Sequence, residues 1–230
     1  MARLPRLSVA GQPHLVLQSG RRGESLFCDD DDRRCYLDAL RIAARDVGSA
    51  VHGYALMNDR IYLLLTPPRS DSLGRLMQKV GRRYVTYFNR RHQRVGTLWD
   101  GRYRAAVVEP ERFLLNCLRH LESGPVRDDL VRRPQDWPWS SAAHHVGRID
   151  DPLVTEHSMY WQLGNTPFAR QAAYLALNEE PLPADKVAAI DHAVSGGWAL
   201  GSPEYLAELT QNTNRRLKPR SPGRKRALST

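Results

Sequence analysis

Two stretches of this chain are nearly empty of acidic side chains, and long apolar runs are missing throughout. No stretch of about 18 or more apolar residues occurs, so no segment reads as a membrane-spanning helix. The opening MARLPRLSVAGQPHLVLQSG carries arginines, but its apolar run is too short and too broken for a secretory signal. Cysteine is scarce. Cys28, Cys35 and Cys117 are odd in number and lack metal-ligand spacing, which reads as reduced thiols in a cytoplasmic protein.

The acid deficit is local. Residues 73–104 hold nine Lys/Arg (Arg75, Lys79, Arg82, Arg83, Arg90, Arg91, Arg94, Arg102, Arg104) and one acid, Asp100. Residues 214–230 hold seven (Arg215, Arg216, Lys218, Arg220, Arg224, Lys225, Arg226) and none. The rest has 18 basic against 24 acidic residues, so the net charge of +9 is concentrated in two places. Guanidinium groups match phosphate geometry, and interleaved aromatics offer faces for bases. Nucleic acid is the partner this pattern points to, ahead of an anionic membrane surface.

Hydrophobic periodicity orders the first half of the chain. Residues 14–18 read as a strand, 31–47 as a helix, 50–57 and 60–66 as a hairpin, 72–91 as an amphipathic helix, and 96–108 as a last strand. A helix opens at Pro110 and runs to about residue 121. The second hairpin arm, RIYLLLT, is almost wholly apolar and belongs at the centre of its sheet. The order β-α-β-β-α-β predicts an α+β, ferredoxin-like antiparallel sheet with helices on one face and an open second face. The run Asp29-Asp30-Asp31-Asp32 could hold a divalent ion, but a capped, dipole-complementing helix start suits it better.

We divide the chain into a DNA-binding domain at 1–145, a helical extension at 146–213 and a basic, disordered tail at 214–230. Helices are expected at 168–177, at 184–194 and from Ser202-Pro203-Glu204 onward. They form either a small DNA-contacting unit or an appendage packed on the sheet. In the tail, Pro222-Gly223-Arg224 between basic residues is similar to arms laid in the minor groove by AT-hook proteins.

Several segments together resemble the REP-associated tyrosine transposases, a branch of the HUH single-tyrosine transposases. They are MARLPRL…GQPHLVLQ, YALMNDRIYLLLTP, the whole basic stretch, and NCLRHLESGPVR…DWPWSS, in continuous order over residues 1–145. The resemblance implies a ferredoxin-like catalytic fold, hairpin or single-stranded DNA as partner, Mg or Mn as cofactor, and cleavage through a phosphotyrosine. It also locates the machinery. The family's His-hydrophobic-His ligand pair falls on Arg60-Ile61-Tyr62, and its nucleophile, five residues before Pro125, falls on His120. Arginine stays protonated and does not ligate metals, and tyrosine ligates poorly unless deprotonated. Metal binding and the usual cleavage are therefore not expected.

Three ways of keeping chemistry stay open: Arg60 supplying the lost positive charge, His120 acting as a phosphohistidine, or attack by Tyr62, Tyr84 or Tyr87. The expected function is recognition of hairpin or single-stranded DNA without cleavage, in the bacterial cytoplasm and on the nucleoid. The alternatives are an active divergent transposase or nuclease, and an RNA-binding module. The expected DNA-binding residues are Arg60, Arg75, Lys79, Arg82, Arg83, Arg90, Arg91, Arg102, Arg104, Arg220, Arg224, Lys225 and Arg226, with Trp99 and Tyr103 as stacking faces.

Overall fold

A computed structural model of the protein describes residues 6–211, 213 and 215–219. Four strands form one antiparallel sheet in the order β2-β3-β1-β4. They are β1 (His14–Ser19), β2 (Ala50–Leu56), β3 (Arg60–Thr66) and β4 (Arg104–Val107). The apolar strand β3 is internal, as its composition predicts. Helices α1 (Asp30–Val47) and α2 (Ser72–Arg91) make the two crossovers of the ferredoxin-like unit and pack on one another.

Strand alternation divides the core. Ile61, Leu63 and Leu65 of β3 face α1 and α2, in a cluster with Tyr36, Leu40, Tyr84 and Phe88. Tyr62 and Leu64 face the other way, into a cluster with Leu114, Cys117, Leu118 and Leu121. Those four residues lie on α3 (Pro110–Glu122), which is followed by the single turn α4 (Gly124–Arg127). The second sheet face is therefore not open. Close approach is built in at Gly53, where a Cβ would overlap the Leu118 side chain.

The first domain ends with α5 (Ala142–His145), and the extension supplies α6 (Ser158–Trp161), α7 (Pro167–Leu177), α8 (Ala184–Gly196) and α9 (Pro203–Gln211). It packs on the sheet rather than standing apart: Tyr160, Tyr174, Ile190 and Val194 share the α3 cluster. One buried carboxylate ties the layers. Glu122 of α3 accepts hydrogen bonds from Ser141 Oγ (2.5 Å) and Tyr174 OH (2.7 Å), with His145 Nδ1 at 2.7 Å. The extension and the WPWSS segment before it cover the two sheet edges, which would otherwise offer unpaired backbone. Leu200 N donates to Val107 O beside β4. Beside β2, Leu56 N donates to Trp139 O and Trp137 Nε1 to Leu56 O, so the WPWSS segment is an edge cover.

Two further expectations need correction. The last strand is only Arg104–Val107, because Gly96 and Gly101 take positive φ (91° and 74°) and turn residues 96–103 into a loop. The described start of the tail is not free chain: Leu217 is buried, its carbonyl accepts from Ala199 N, and Arg215 and Arg216 lie over the Trp198 ring. Among the described residues no helix is long and apolar enough to cross a membrane.

Candidate nucleic-acid interface

Arg60 and Tyr62 leave β3 on the face covered by α3, because residues two apart on a strand point the same way. His120, in the last turn of α3, reaches the same point: its ring packs edge-on against Tyr62 with centroids 5.7 Å apart. Three positions separated in sequence thus form one centre. It is closed. Tyr62 is 6% exposed and His120 1%. Asp191 of α8 brings Oδ1 to 3.2 Å from His120 Nε2, although neither ring nitrogen has a well-aligned hydrogen bond. The His120 ring beside it holds the Asp191 carboxyl below the usual carboxylate range. Arg60 is committed to carboxylates, with both Asp128 oxygens at 2.7 Å and Asp59 at 2.9 Å. Arg127 donates to His120 O (2.8 Å) and Ser123 Oγ (2.7 Å).

This donor set does not fit a divalent cation. Arg60 and Arg127 bring positive charge to the position a cation would take. Burial, and after it the Asp191 charge, pushes the Tyr62 phenol up, so it is no ready phenolate ligand or nucleophile. Tyr84 is worse placed still: it is fully buried among α1 and α2 and donates to Leu26 O. Elsewhere, Cys28, Asp32 and His92 each bring a potential ligand atom within 4.8 Å of the others. Asp32 already accepts from Cys28 N (2.8 Å) and Arg91 (2.8 Å), with His92 Nε2 at 2.9 Å, so the carboxylate is satisfied by protein groups. Asp29 accepts from Asp32 N, which makes the acidic run the capped helix start expected of it.

The basic stretch separates into committed and free cations. Arg91 holds Asp29 and Asp32, Lys79 holds Asp46 at 2.6 Å, Arg75 lies 3.6 Å from Asp71, and Arg94 holds Glu24. Arg104 donates to Ser195 O at the end of α8. Arg82, Arg83, Arg90 and Arg102 have no acidic partner among the described residues. Trp99 is half-buried beside Tyr84, and the Tyr103 ring is covered by the Arg6 guanidinium at 3.9 Å. Arg220, Arg224, Lys225 and Arg226 lie outside the described residues. Asp128, Arg127 and Asp191, which complete the centre, are not among the residues that the sequence points to as a site. Only Arg127 carries a signal, as the last residue of the GPVR motif.

No protein-family model matches the chain, and no curated protein is similar to it. Solved structures are. One is a REP-associated tyrosine transposase bound to a REP hairpin, at 15% identity and a TM-score of 0.56, covering 69% of this chain and 93% of the other. That likeness shows a shared fold. A second, from Deinococcus radiodurans R1 and assigned as a transposase, is 24% identical over 47% of this chain and 87% of its own, with a TM-score of 0.36.

Proposed function

We propose that this protein is a transposase relative that binds hairpin or single-stranded DNA and does not cut it. The observation that carries the reading is the closed centre. Arg60, Tyr62 and His120 occupy the ligand and nucleophile positions of the resembled family, and they pack on one another and on their neighbours instead of presenting an open site. Binding without a divalent cation follows from the same donor set. DNA is favoured by the shared fold with a hairpin-bound transposase and by four arginines on and after α2 that lack acidic partners among the described residues. RNA bases stacked on an open sheet are disfavoured, because α3 covers that face. The place of action would be the nucleoid.

A gel-shift series against a DNA hairpin tests binding. Affinity should fall with salt at a log–log slope near −0.9 per bound phosphate on duplex and about −0.7 on single strand. Binding insensitive to salt, or absent, sinks the proposal. Labelled hairpin incubated with Mg²⁺ or Mn²⁺ tests the second half: a covalent protein–DNA adduct would restore the enzyme reading, and Tyr62→Phe and His120→Ala would then locate the nucleophile.

A further inference from the structure

Three side chains from separate places meet where the start of α1 faces the end of α2. Cys28 directly precedes the N-cap residue Asp29, Asp32 lies in the first turn of α1, and His92 caps the end of α2. Each brings one potential ligand atom, and the three atoms all lie within 4.8 Å of one another. The cluster is on the α1–α2 side of the sheet, opposite the face that carries Tyr62 and His120. Cys28 is exposed, and the Asp32 side chain is fully buried. The His92 ring is held against Phe88, with centroids 4.5 Å apart. A carboxylate offers about four lone-pair sites. Cys28 N takes one on Asp32 Oδ2 and Arg91 Nη1 takes one on Oδ1, each at 2.8 Å. The remaining capacity of both oxygens meets His92 Nε2, at 2.9 Å from Oδ2 and 3.1 Å from Oδ1.

We propose that Cys28, Asp32 and His92 form a zinc site that clasps the start of α1 to the end of α2. Sulfur, imidazole and carboxylate together suit Zn²⁺, whereas Mg²⁺ and Mn²⁺ favour sets of oxygen ligands. The ion takes the place of the proton between His92 Nε2 and Asp32, and the bonds from Cys28 N and Arg91 to the carboxylate are kept. Tetrahedral zinc bonds of roughly 2.0–2.3 Å set ligand atoms about 3.3–3.8 Å apart. The His92–Asp32 pair therefore opens slightly, and the exposed Cys28 side chain turns inward. Asp29 accepts from Asp32 N and Arg91, so water takes the fourth position. Burial, and then the charges of Asp32 and Asp29, push the Cys28 thiol up. That negative field draws in a cation, and the bound cation reverses it, so sulfur binds as thiolate and its proton leaves to solvent. In a neutral His92 the ring proton moves from Nε2 to Nδ1. The site stands independently of the DNA-binding reading.

The test uses the full-length, reduced protein freed of metal with a chelator, and Zn²⁺ alone. The wild type should retain one zinc per chain after desalting, and zinc should raise its melting temperature. Co²⁺ in its place should give thiolate-to-cobalt absorption. Cys28→Ser removes that absorption, and Cys28→Ser and His92→Gln each weaken zinc binding by more than about tenfold, the least that even a residue behind a ligand is worth. Cys28 is exposed and Gln keeps a donor for Asp32, so both variants should fold; if His92→Gln does not, Cys28→Ser decides. Cys35→Ser should change neither readout. Failure of the wild type to retain zinc overturns the proposal. So does zinc held as tightly by Cys28→Ser as by the wild type, or zinc lost in Cys35→Ser, since either places the metal elsewhere. Zinc that binds without raising the melting temperature overturns the clasp.

Discussion

The basic stretch on α2 and the arginines gathered beside the closed centre differ in a way that charge density along the chain conceals. On α2 and the loop after it, cations are dense along the chain, yet several are used internally. Arg91 closes on the acidic first turn of α1, so the basic last turn of one helix neutralises the acidic start of its neighbour, and each charge suits its own helix end. Beside the closed centre the arginines are dispersed through the sequence, from Arg60 to Arg148, and folding gathers them. There Arg119 and Arg127 are held by backbone carbonyls and a hydroxyl, which orient a guanidinium without neutralising it. Density of charge in sequence is not density of available charge in space.

The contrast can be strained first through stability. Glu122→Ala would leave Ser141, His145 and Tyr174 without their shared acceptor in a buried layer, at a cost of about 3–5 kcal/mol in denaturant unfolding. Lys79→Ala, which breaks an exposed pair on the α2 side, should cost below about 1 kcal/mol. Equal costs would erase the distinction between a welded extension and a solvated helix face.

A smaller effect should come from acid. Burial lowers His14 and His52 to about 4, so both rings are neutral in the fold at pH 6 while an unfolded chain already binds protons there. The unfolded state takes up more protons between pH 6.5 and 4, so stability falls as pH drops through that window, by up to ~3 kcal/mol per ring. His52→Gln should flatten the pH profile of unfolding relative to the wild type; an unchanged profile would mean that His52 is protonated in place.

The weakest and most telling effect concerns DNA. Arg82→Ala with Arg83→Ala should lower the salt slope of hairpin binding by about 0.7–0.9 for each phosphate that the variant no longer neutralises. Arg75→Ala and Lys79→Ala, whose partners are Asp71 and Asp46, should leave the slope nearly unchanged. If all three variants behave alike, internal pairing does not decide which cations meet phosphate.

Much of the fold is legible in pattern. The apolar run of β3 places it inside the sheet, and the stripe Leu73, Leu76, Val80, Tyr84 and Phe88 predicts the buried face of α2. The final strand reads too long because aromatic spacing around Trp99 and Tyr103 imitates a strand, while two positive-φ glycines make it a loop. The covered second sheet face has no local signal, since α3 and α8 reach it only through long-range packing. At the site, the substitutions at Arg60, Tyr62 and His120 are legible. Their partners Asp128 and Asp191 are not, because each pairing depends on a distant element arriving at the same point.

Sequence alone determined the strand and helix order, the two concentrations of positive charge, and which residues stand at the three altered positions. These follow from local periodicity, composition and spacing, which act before any distant elements meet. Tertiary structure decided that the altered centre is closed, that several of the conspicuous cations are paired, and that Arg119, Arg127 and Arg132 surround a cavity. The physical reason is that burial and ion pairing depend on which side chains meet across the sheet, and those meetings are set by packing rather than by neighbours along the chain.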